Sequence, residues 1–411
     1  MRPLDSFLQQ TPIERWLTIL VVTLYFAFPV AIGLANLSTL LFLITAIILL
    51  RRKVIRQALI ENKMIWLLFL MYGVIIIGLT YSSANWDWKL IHIDKYAKMV
   101  YASLLIAILV TFPQLQRFSL QAFIVAMLFI VASTWLNVWF LLPWSATQSI
   151  GWGQSHHVFG DHITQNVMMS FFCALTIHYA IKSNNLLRIF WVAVSVAAAV
   201  SITHLSTGRT GLVVLIASLF TYACVMTKGK WLPASIFSLI IASVLAISTS
   251  STLQSRFTQA WHEFQNSQSE NQTSIGHRLY NYQTTPKLIA ESPIIGHGTG
   301  SYHEEICRHI EDKSQCSMFS WHPHNQYLFF AAEHGMVGLA VFLMLIGYMY
   351  YLGFKNRNHT SGVLLIVLAS ILAANSLINS PLWSSRENHF FMYMLALLTA
   401  MASSHKARSI E

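Results

Sequence analysis

The sequence predicts an all-α, polytopic integral membrane protein, on the strength of its composition and the length of its apolar runs. Of the 411 residues, 55% are hydrophobic and only 10% are charged, and the mean hydropathy is +0.53. Soluble domains carry about a quarter charged residues, so a soluble enzyme and a disordered chain are both excluded. The apolar residues form long runs rather than the alternating segments of an outer-membrane barrel. We therefore expect a single membrane-embedded domain over residues 1–411.

About twelve apolar runs approach the length that a helix needs to cross the hydrocarbon core. We predict spans at 16–34, 36–50, 64–80, 97–112, 118–141, 166–181, 186–203, 211–227, 231–249, 326–354, 361–378 and 389–403. The first two are expected to form a hairpin that is broken around Pro29, Gly33 and Asn36. The N-terminus lacks a short apolar core followed by a small-residue cleavage site, so we expect no cleaved signal peptide.

The positive charges favour a multi-pass protein of the bacterial cell inner membrane with both termini in the cytoplasm. Most of the 26 Lys and Arg residues, including Arg51, Arg52 and Lys53, fall in segments on the same side as the termini. Short cytoplasmic loops carry such an excess. Because no basic stripe is interleaved with aromatic residues, the net charge of +10 does not indicate a nucleic-acid partner.

Residues 250–325 form a long hydrophilic segment on the predicted periplasmic side, between the ninth and tenth spans. A loop of this length in a compact protein is usually functional. It contains Cys307 and Cys316, which favour a structural disulfide in an oxidising compartment. Cys173 and Cys224 lie within apolar spans, where a thiol behaves as a small hydrophobic group.

The strongest local signal is Trp-His-Pro-His-Asn-Gln, at the junction of this loop and the tenth span. His322 and His324 flank Pro323, and we expect both imidazoles to project to one side of an extended segment. One interpretation is a helix cap, in which Asn325 satisfies the first amides of the helix. The other is catalytic, because a neutral imidazole can accept a proton from an attacking hydroxyl.

Two outer arginines lie in short motifs. Arg209 follows small polar residues in STGRTG, and Arg278 lies in SIGHRLYNY, where the spacing predicts an amphipathic helix. One interpretation is that the Arg209 side chain extends from a helix end to water and that Arg278 lies on a solvated helix face. Alternatively, their planar guanidinium groups could donate paired hydrogen bonds to phosphate oxygens. The nearby glycines of SPIIGHGTGSY predict a tight turn rather than a nucleotide cradle, since no strand precedes them.

Outer tryptophans are typical of an interfacial aromatic belt, with stacking on sugars as the alternative. These are Trp86, Trp88, Trp135, Trp139 and Trp144. Near the last span, Arg386 and Glu387 are expected to form a local ion pair, unless Arg386 contacts an anion instead.

The 17 histidines raise a metal alternative, in which His322 and His324 join His303 or His309. No helical H-x-x-x-H or H-E-x-x-H spacing occurs, and no acidic cluster supplies the hard ligands of a magnesium site. We therefore expect no metal site.

Together these features resemble the O-antigen ligase (WaaL) branch of the O-antigen ligase/polymerase superfamily. Arg209 matches the arginine after the family's small-polar turn, and Arg278 matches the arginine that opens its loop helix. SPIIGHGTGSY matches the glycine-rich turn of the family. His324, in HPHNQYLFFAAEHGMVGL, matches the histidine that precedes Asn at the start of a helix. His322 also fits the H-x-H form seen in part of the family.

The resemblance implies a GT-C-type glycosyltransferase whose active site faces the periplasm. Such enzymes move a glycan from undecaprenyl pyrophosphate to a sugar hydroxyl of lipid A–core, without a metal, a cofactor or a nucleotide sugar. Its partners would be these two substrates and the membrane lipids. We expect Arg209 and Arg278 to hold the pyrophosphate and His324 to be the base. The residues expected to bind substrate are His322, Asn325, Tyr280 and Arg386.

Three alternatives stay open at the level of sequence. An O-antigen polymerase would extend another lipid-linked chain, and an O-linking protein oligosaccharyltransferase would transfer the glycan to a Ser or Thr of a protein. The latter often carries a longer C-terminal region, so the short segment after the last span mildly favours the ligase. A transporter or flippase would be expected to place its charges within the spans, whereas here they concentrate on the outer side.

Overall fold

The computed structural model describes residues 10–266, 273–310 and 313–408, with the backbone alone for 405–408. Within these ranges every regular element is a helix, which confirms the all-α prediction. Residues 1–9 and 409–411 lie outside the described part of the chain. The cytoplasmic location of the two termini therefore stays a prediction.

The chain forms eighteen α-helices over the described residues. They are α1 (Pro12–Val30), α2 (Ile32–Leu49), α3 (Lys53–Glu61), α4 (Lys63–Gly78), α5 (Trp86–Tyr96), α6 (Lys98–Thr111), α7 (Gln114–Leu136), α8 (His162–Lys182), α9 (Asn185–His204), α10 (Arg209–Met226), α11 (Trp231–Thr249), α12 (Ser251–Gln265), α13 (Ser274–Glu291), α14 (Tyr302–Glu305), α15 (Cys316–Phe319), α16 (Gln326–Lys355), α17 (Thr360–Ile378) and α18 (Ser385–Arg408). Short 3-10 turns cover Ile306–Arg308 and Lys313–Gln315.

Each predicted span overlaps one of these helices, so the protein is a multi-pass membrane protein. Eight described helices are long and apolar enough to cross a bilayer, or nine when α3 and α4, bent by 75°, count as one span. Helices α4 and α6 have only 16 and 14 residues, against the roughly 20 that a full crossing requires. The count of about twelve spans therefore stays a prediction.

The first hairpin shows how local sequence sets the helix ends. Thr11 and Glu14 form a capping box, in which the Thr11 amide donates to Glu14 Oε2 at 2.8 Å. Pro29 lacks an amide proton near the end of α1, and the chain leaves the helical conformation at Ala31 (φ −134°, ψ 89°). The expected break around Pro29 is confirmed, two residues before Gly33.

A buried aromatic core joins the first and last thirds of the chain. The ring of Phe123 lies 5.7 Å from Phe28 and 6.2 Å from Phe390. Nearby, the Tyr25 hydroxyl donates to the Tyr393 carbonyl at 2.7 Å. These contacts place α18 against α1 and α7, and Phe171 of α8 lies 5.6 Å from Phe390. By contrast, α11 buries none of its residues against the other described helices.

The described residues of the long hydrophilic segment, 250–266, 273–310 and 313–325, pack against one end of the helices, which we call the loop end. Here a second hydrophobic core forms, with Leu288, Tyr302, Ile306, Ile310, Phe319, Phe329, Ala332 and Trp383 as its buried members. Cys307 and Cys316 form a disulfide with 5.3 Å between their Cα atoms, as expected. The predicted amphipathic helix is α13, capped by the Thr273 side chain.

The glycine-rich turn docks into a break in α16. Gly335 has φ 59° and ψ −159°, which interrupts the helix and frees backbone carbonyls of the preceding residues. The amide of Gly298 donates to the Glu333 carbonyl at 2.7 Å, and the amide of Met336 donates to the Pro293 carbonyl at 2.8 Å. The expected tight turn is therefore present, and its amides bind the broken helix.

The buried carboxylate of Glu333 fastens the same turn from the side. Its Oε1 accepts from the amides of Gly300 at 3.0 Å and Tyr302 at 3.4 Å. It also lies 3.0 Å from His92 Nε2, so α5 is tied to the same carboxylate. A buried carboxylate must be hydrogen-bonded, and here two backbone amides supply the bonds.

We predict that Gly335→Ala destabilises the protein by about 2–4 kcal/mol. A Cβ atom there would lie 2.3 Å from the Ile294 carbonyl carbon, and the positive φ disfavours any side chain. Denaturation midpoints of the full-length protein in detergent test this. Gly347→Ala is the matched control, because nothing lies within 4 Å of the Cβ it would add. Equal midpoints for the two variants would contradict the docking role.

Candidate active site

Arg209 is the first residue of α10 and is paired with a carboxylate that the sequence analysis did not identify. Its two terminal nitrogens lie 3.2–3.3 Å from the carboxylate oxygens of Glu263 on α12. Glu263 Oε2 also accepts from the Ile275 amide at 3.2 Å, at the start of α13. Glu263 is buried. The carboxylate therefore occupies an anion site formed by a guanidinium and a helix N-terminus.

Arg278 lies one turn into α13 and is partly buried, not on a solvated face. Its Nη1 donates to Ser274 Oγ at 3.1 Å, whereas its Nε is buried without a hydrogen-bond partner among the described residues. Burial lowers the pKa of Arg278, and the like charge of Arg209 lowers it further, while Tyr282 and Glu263 raise it. The two arginines thus lie within electrostatic reach of each other.

The His-Pro-His segment forms a tight turn rather than the extended segment that we expected. His324 has φ 53°, in the left-handed region that few non-glycine residues adopt. Its amide donates to Nδ1 of His322 at 3.1 Å, which closes the turn. The two rings are 4.2 Å apart, so they do lie on one side, as predicted. Such backbone strain often marks a functional site.

Neighbouring side chains hold this turn. The Tyr282 hydroxyl donates to the Leu377 carbonyl and lies 3.3 Å from the His324 carbonyl oxygen. Asn325 Oδ1 accepts from the Leu328 amide at 3.0 Å, and its Nδ2 donates to the Leu377 carbonyl at 3.2 Å. The capping interpretation of Asn325 is confirmed, and its binding of substrate stays untested.

A third imidazole, to which no sequence motif gives a role, joins the pair. The His277 ring lies 5.0 Å from that of His324, and its Nε2 is buried with no partner within the described residues. His277 directly precedes Arg278 on α13. This adjacency to Arg278 could have drawn attention to His277. Helical periodicity alone, however, does not show that the loop brings His324 next to it.

Burial and positive charge keep these imidazoles neutral at neutral pH. Burial, together with the charges of His277, Arg278 and Lys95, lowers the pKa of His322 to about 3. Burial also lowers the pKa of His324 and of His277, and the Arg278 guanidinium adds to both effects. A neutral imidazole beside a cationic guanidinium retains a lone pair that can accept a proton.

Two predicted binding residues lie in other surroundings. Tyr280 packs its ring 4.5 Å from Phe319, in the loop-end core. Arg386 donates to the Pro29 carbonyl at 3.1 Å, while Glu387 accepts from Asn375 at 2.7 Å. The expected Arg386–Glu387 ion pair is absent from the described residues, because each group has a nearer partner on another element.

The histidines of the metal alternative are engaged separately. His303 Nδ1 lies 2.8 Å from Ser320 Oγ, and His309 Nε2 lies 3.0 Å from a Glu291 carboxylate oxygen. Where the structure describes the chain, no group of three or more His, Cys, Asp or Glu side chains could hold a metal ion.

Comparison with known proteins agrees with the motifs. Residues 194–343 match the family model described as O-antigen ligase, which supports the resemblance to the O-antigen ligase superfamily. Both arginines and the His-Pro-His turn lie in this range. A Haemophilus influenzae protein described as uncharacterized is 26% identical over 199 residues. The match covers 46% of this chain and 50% of that relative, so the chain spans about half of its length.

We predict that Glu263→Gln tightens the binding of inorganic pyrophosphate by about fivefold, since a competing carboxylate is removed from Arg209. Calorimetric titration of the full-length protein in detergent measures this affinity. Glu291→Gln is the control, because Glu291 belongs to the same segment but contacts His309. Weaker or unchanged binding would mean that Glu263 orients Arg209 and does not compete for it.

Proposed function

We propose that the protein is an O-antigen ligase, which transfers a glycan from undecaprenyl pyrophosphate to a sugar hydroxyl of lipid A–core at the periplasmic face. The observation that carries the proposal is that two neighbouring polar groups both lack a hydrogen-bond partner. His324 Nδ1 and Arg278 Nε are both buried without a partner in the described structure. Their side chains are close enough for the guanidinium charge to act on the imidazole. A base beside an anion binder is what this transfer needs.

On the donor side, the arginines would neutralise the leaving group. A diphosphate departs readily once its developing charge is stabilised, and guanidinium groups can do so through two parallel hydrogen bonds. Arg278 has a free Nε for this purpose, and Arg209 becomes available when the phosphate replaces the Glu263 carboxylate. Both groups belong to the loop end, where a lipid carrier in the outer leaflet would present its pyrophosphate.

On the acceptor side, His324 would take the proton from the attacking hydroxyl. His322 cannot accept through Nδ1, because that atom already accepts from the His324 amide. Its Nε2 then carries the proton and would donate to a substrate oxygen. His322 is thus proposed to orient substrate and His324 to act as the base.

The proposed step balances as a single displacement. The acceptor oxygen forms a bond to the anomeric carbon, the bond from that carbon to the phosphate oxygen breaks, and the configuration inverts. The acceptor proton passes to His324 and the diphosphate leaves on the arginines. Much of the rate enhancement would come from aligning two lipid-anchored substrates.

The test follows the glycan in a strain that lacks this gene and carries wild type, His324→Ala or the control His262→Ala. Lipopolysaccharide, the undecaprenyl-linked pool and glycoproteins are separated in parallel. His262 is an exposed residue of α12. We expect wild type and His262→Ala to place long chains on lipid A–core, and His324→Ala to reduce transfer at least about a hundredfold while lipid-linked glycan accumulates.

Three results would contradict the proposal. Unchanged lipopolysaccharide with a lost glycoprotein would indicate a protein oligosaccharyltransferase. Single-repeat lipid-linked units would indicate a polymerase. Near-normal transfer by His324→Ala would remove the assigned base.

A further inference from the structure

Three tryptophans from distant parts of the chain meet beside the His-Pro-His turn. The ring of Trp321 lies 5.3 Å from Trp88 and 6.0 Å from Trp383, in edge-to-face geometry, and Trp88 lies 6.4 Å from Trp383. Such pairs stabilise each other beyond the area that they bury. We call Trp88, Trp321 and Trp383 the tryptophan cluster.

One ring of the cluster is exposed, and the other two rings pack against it. Trp383 is 2% exposed, whereas Trp321 is 51% exposed. Trp88 is partly buried and stacks on His303 at 4.1 Å. The exposed indole therefore cannot swing freely, because two other indoles pack against it. A rigid aromatic surface loses little conformational entropy on binding a ligand.

Polar groups lie beside the Trp383 ring of the tryptophan cluster. Lys95 Nζ lies 5.2 Å from the Trp383 ring and donates to Ser385 Oγ at 2.9 Å. The Lys95 charge also reaches His322. A rigid aromatic face with a few polar groups beside it has the composition of a small-ligand site. The C–H face of a pyranose ring can stack on the indole while its hydroxyls bond to the polar groups.

The position argues for the acceptor rather than the donor. Trp321 directly precedes His322, whose ring lies 4.2 Å from that of His324. On its other side, the His324 ring lies 5.0 Å from His277, which directly precedes Arg278. A base must lie between the hydroxyl that it deprotonates and the centre that this hydroxyl attacks. With the diphosphate on the arginines, the acceptor sugar falls on the Trp321 side.

We propose that the tryptophan cluster is the acceptor subsite, on which a pyranose ring of the acceptor glycan stacks against Trp321. This inference rests on the proposed glycosyl transfer. Stacking holds the ring so that its hydroxyl faces the histidine pair, and the donor glycan does not use the cluster. An indole of the membrane-interface belt would have no such effect on the acceptor.

The test measures transfer by the full-length protein in detergent, with deacylated lipopolysaccharide core oligosaccharide as the acceptor. Trp321→Ala is compared with Trp321→Phe and with the control Trp139→Ala, an indole that is 61% exposed and lies outside the cluster. We expect Trp321→Ala to raise the acceptor KM by about fivefold or more, with the donor KM unchanged. Trp321→Phe should retain most of the acceptor affinity.

A second measurement does not depend on transfer. Saturation-transfer NMR with the same oligosaccharide and no donor should show ring C–H signals for wild type and the control, and weak ones for Trp321→Ala. If wild type fails to transfer but these signals behave as expected, the proposed function fails and the subsite stands. If wild type transfers while Trp321→Ala matches Trp139→Ala in acceptor KM and NMR signals, the subsite is wrong and the indole belongs to the membrane interface.

Discussion

The buried carboxylate of Glu333 is the contact on which the loop end depends. It lies where α16 breaks, and it binds two amides of the glycine-rich turn and lies against His92 on α5. The turn can reach this carboxylate because Gly335 interrupts the helix. Helix α13 leads directly into the turn, and the His-Pro-His turn precedes α16. One buried carboxylate thus holds the two segments that carry Arg278 and the histidines of the site.

At the loop end, burial and neighbouring charges set the pKa values of the imidazoles and the pairing of the arginines. Burial and the Arg278 guanidinium lower the pKa of each of the three imidazoles, while Arg278 keeps an unpaired Nε. Glu263 offsets the charge of Arg209 and links it to the start of α13. The resulting site has proton acceptors and one anion already in place. An incoming diphosphate would replace the Glu263 carboxylate at Arg209. The guanidinium would therefore be paired with an anion both before and after the diphosphate binds.

Sequence alone predicted most helices and pointed to several residues of the candidate site, for physical reasons. Apolar runs must become helices in a bilayer, because lipid offers no partner for the backbone. Arg209, Arg278 and His324 lie at helix ends, and local motifs identify them. Glu263 and Glu333 were missed, because their partners are backbone amides and side chains far away in sequence. The left-handed conformation of His324 was missed as well, since it arises from a contact with His322.

The most direct test of the account is to locate the bound pyrophosphate. We would determine the cryo-EM structure of full-length His324→Ala, which should not turn over, with an undecaprenyl-pyrophosphate-linked glycan. The account predicts phosphate oxygens at about 3 Å from Arg278 Nε and from a terminal nitrogen of Arg209, with the Glu263 carboxylate displaced. Phosphate bound elsewhere, for example at Arg386, with the Arg209–Glu263 pair intact, would contradict it.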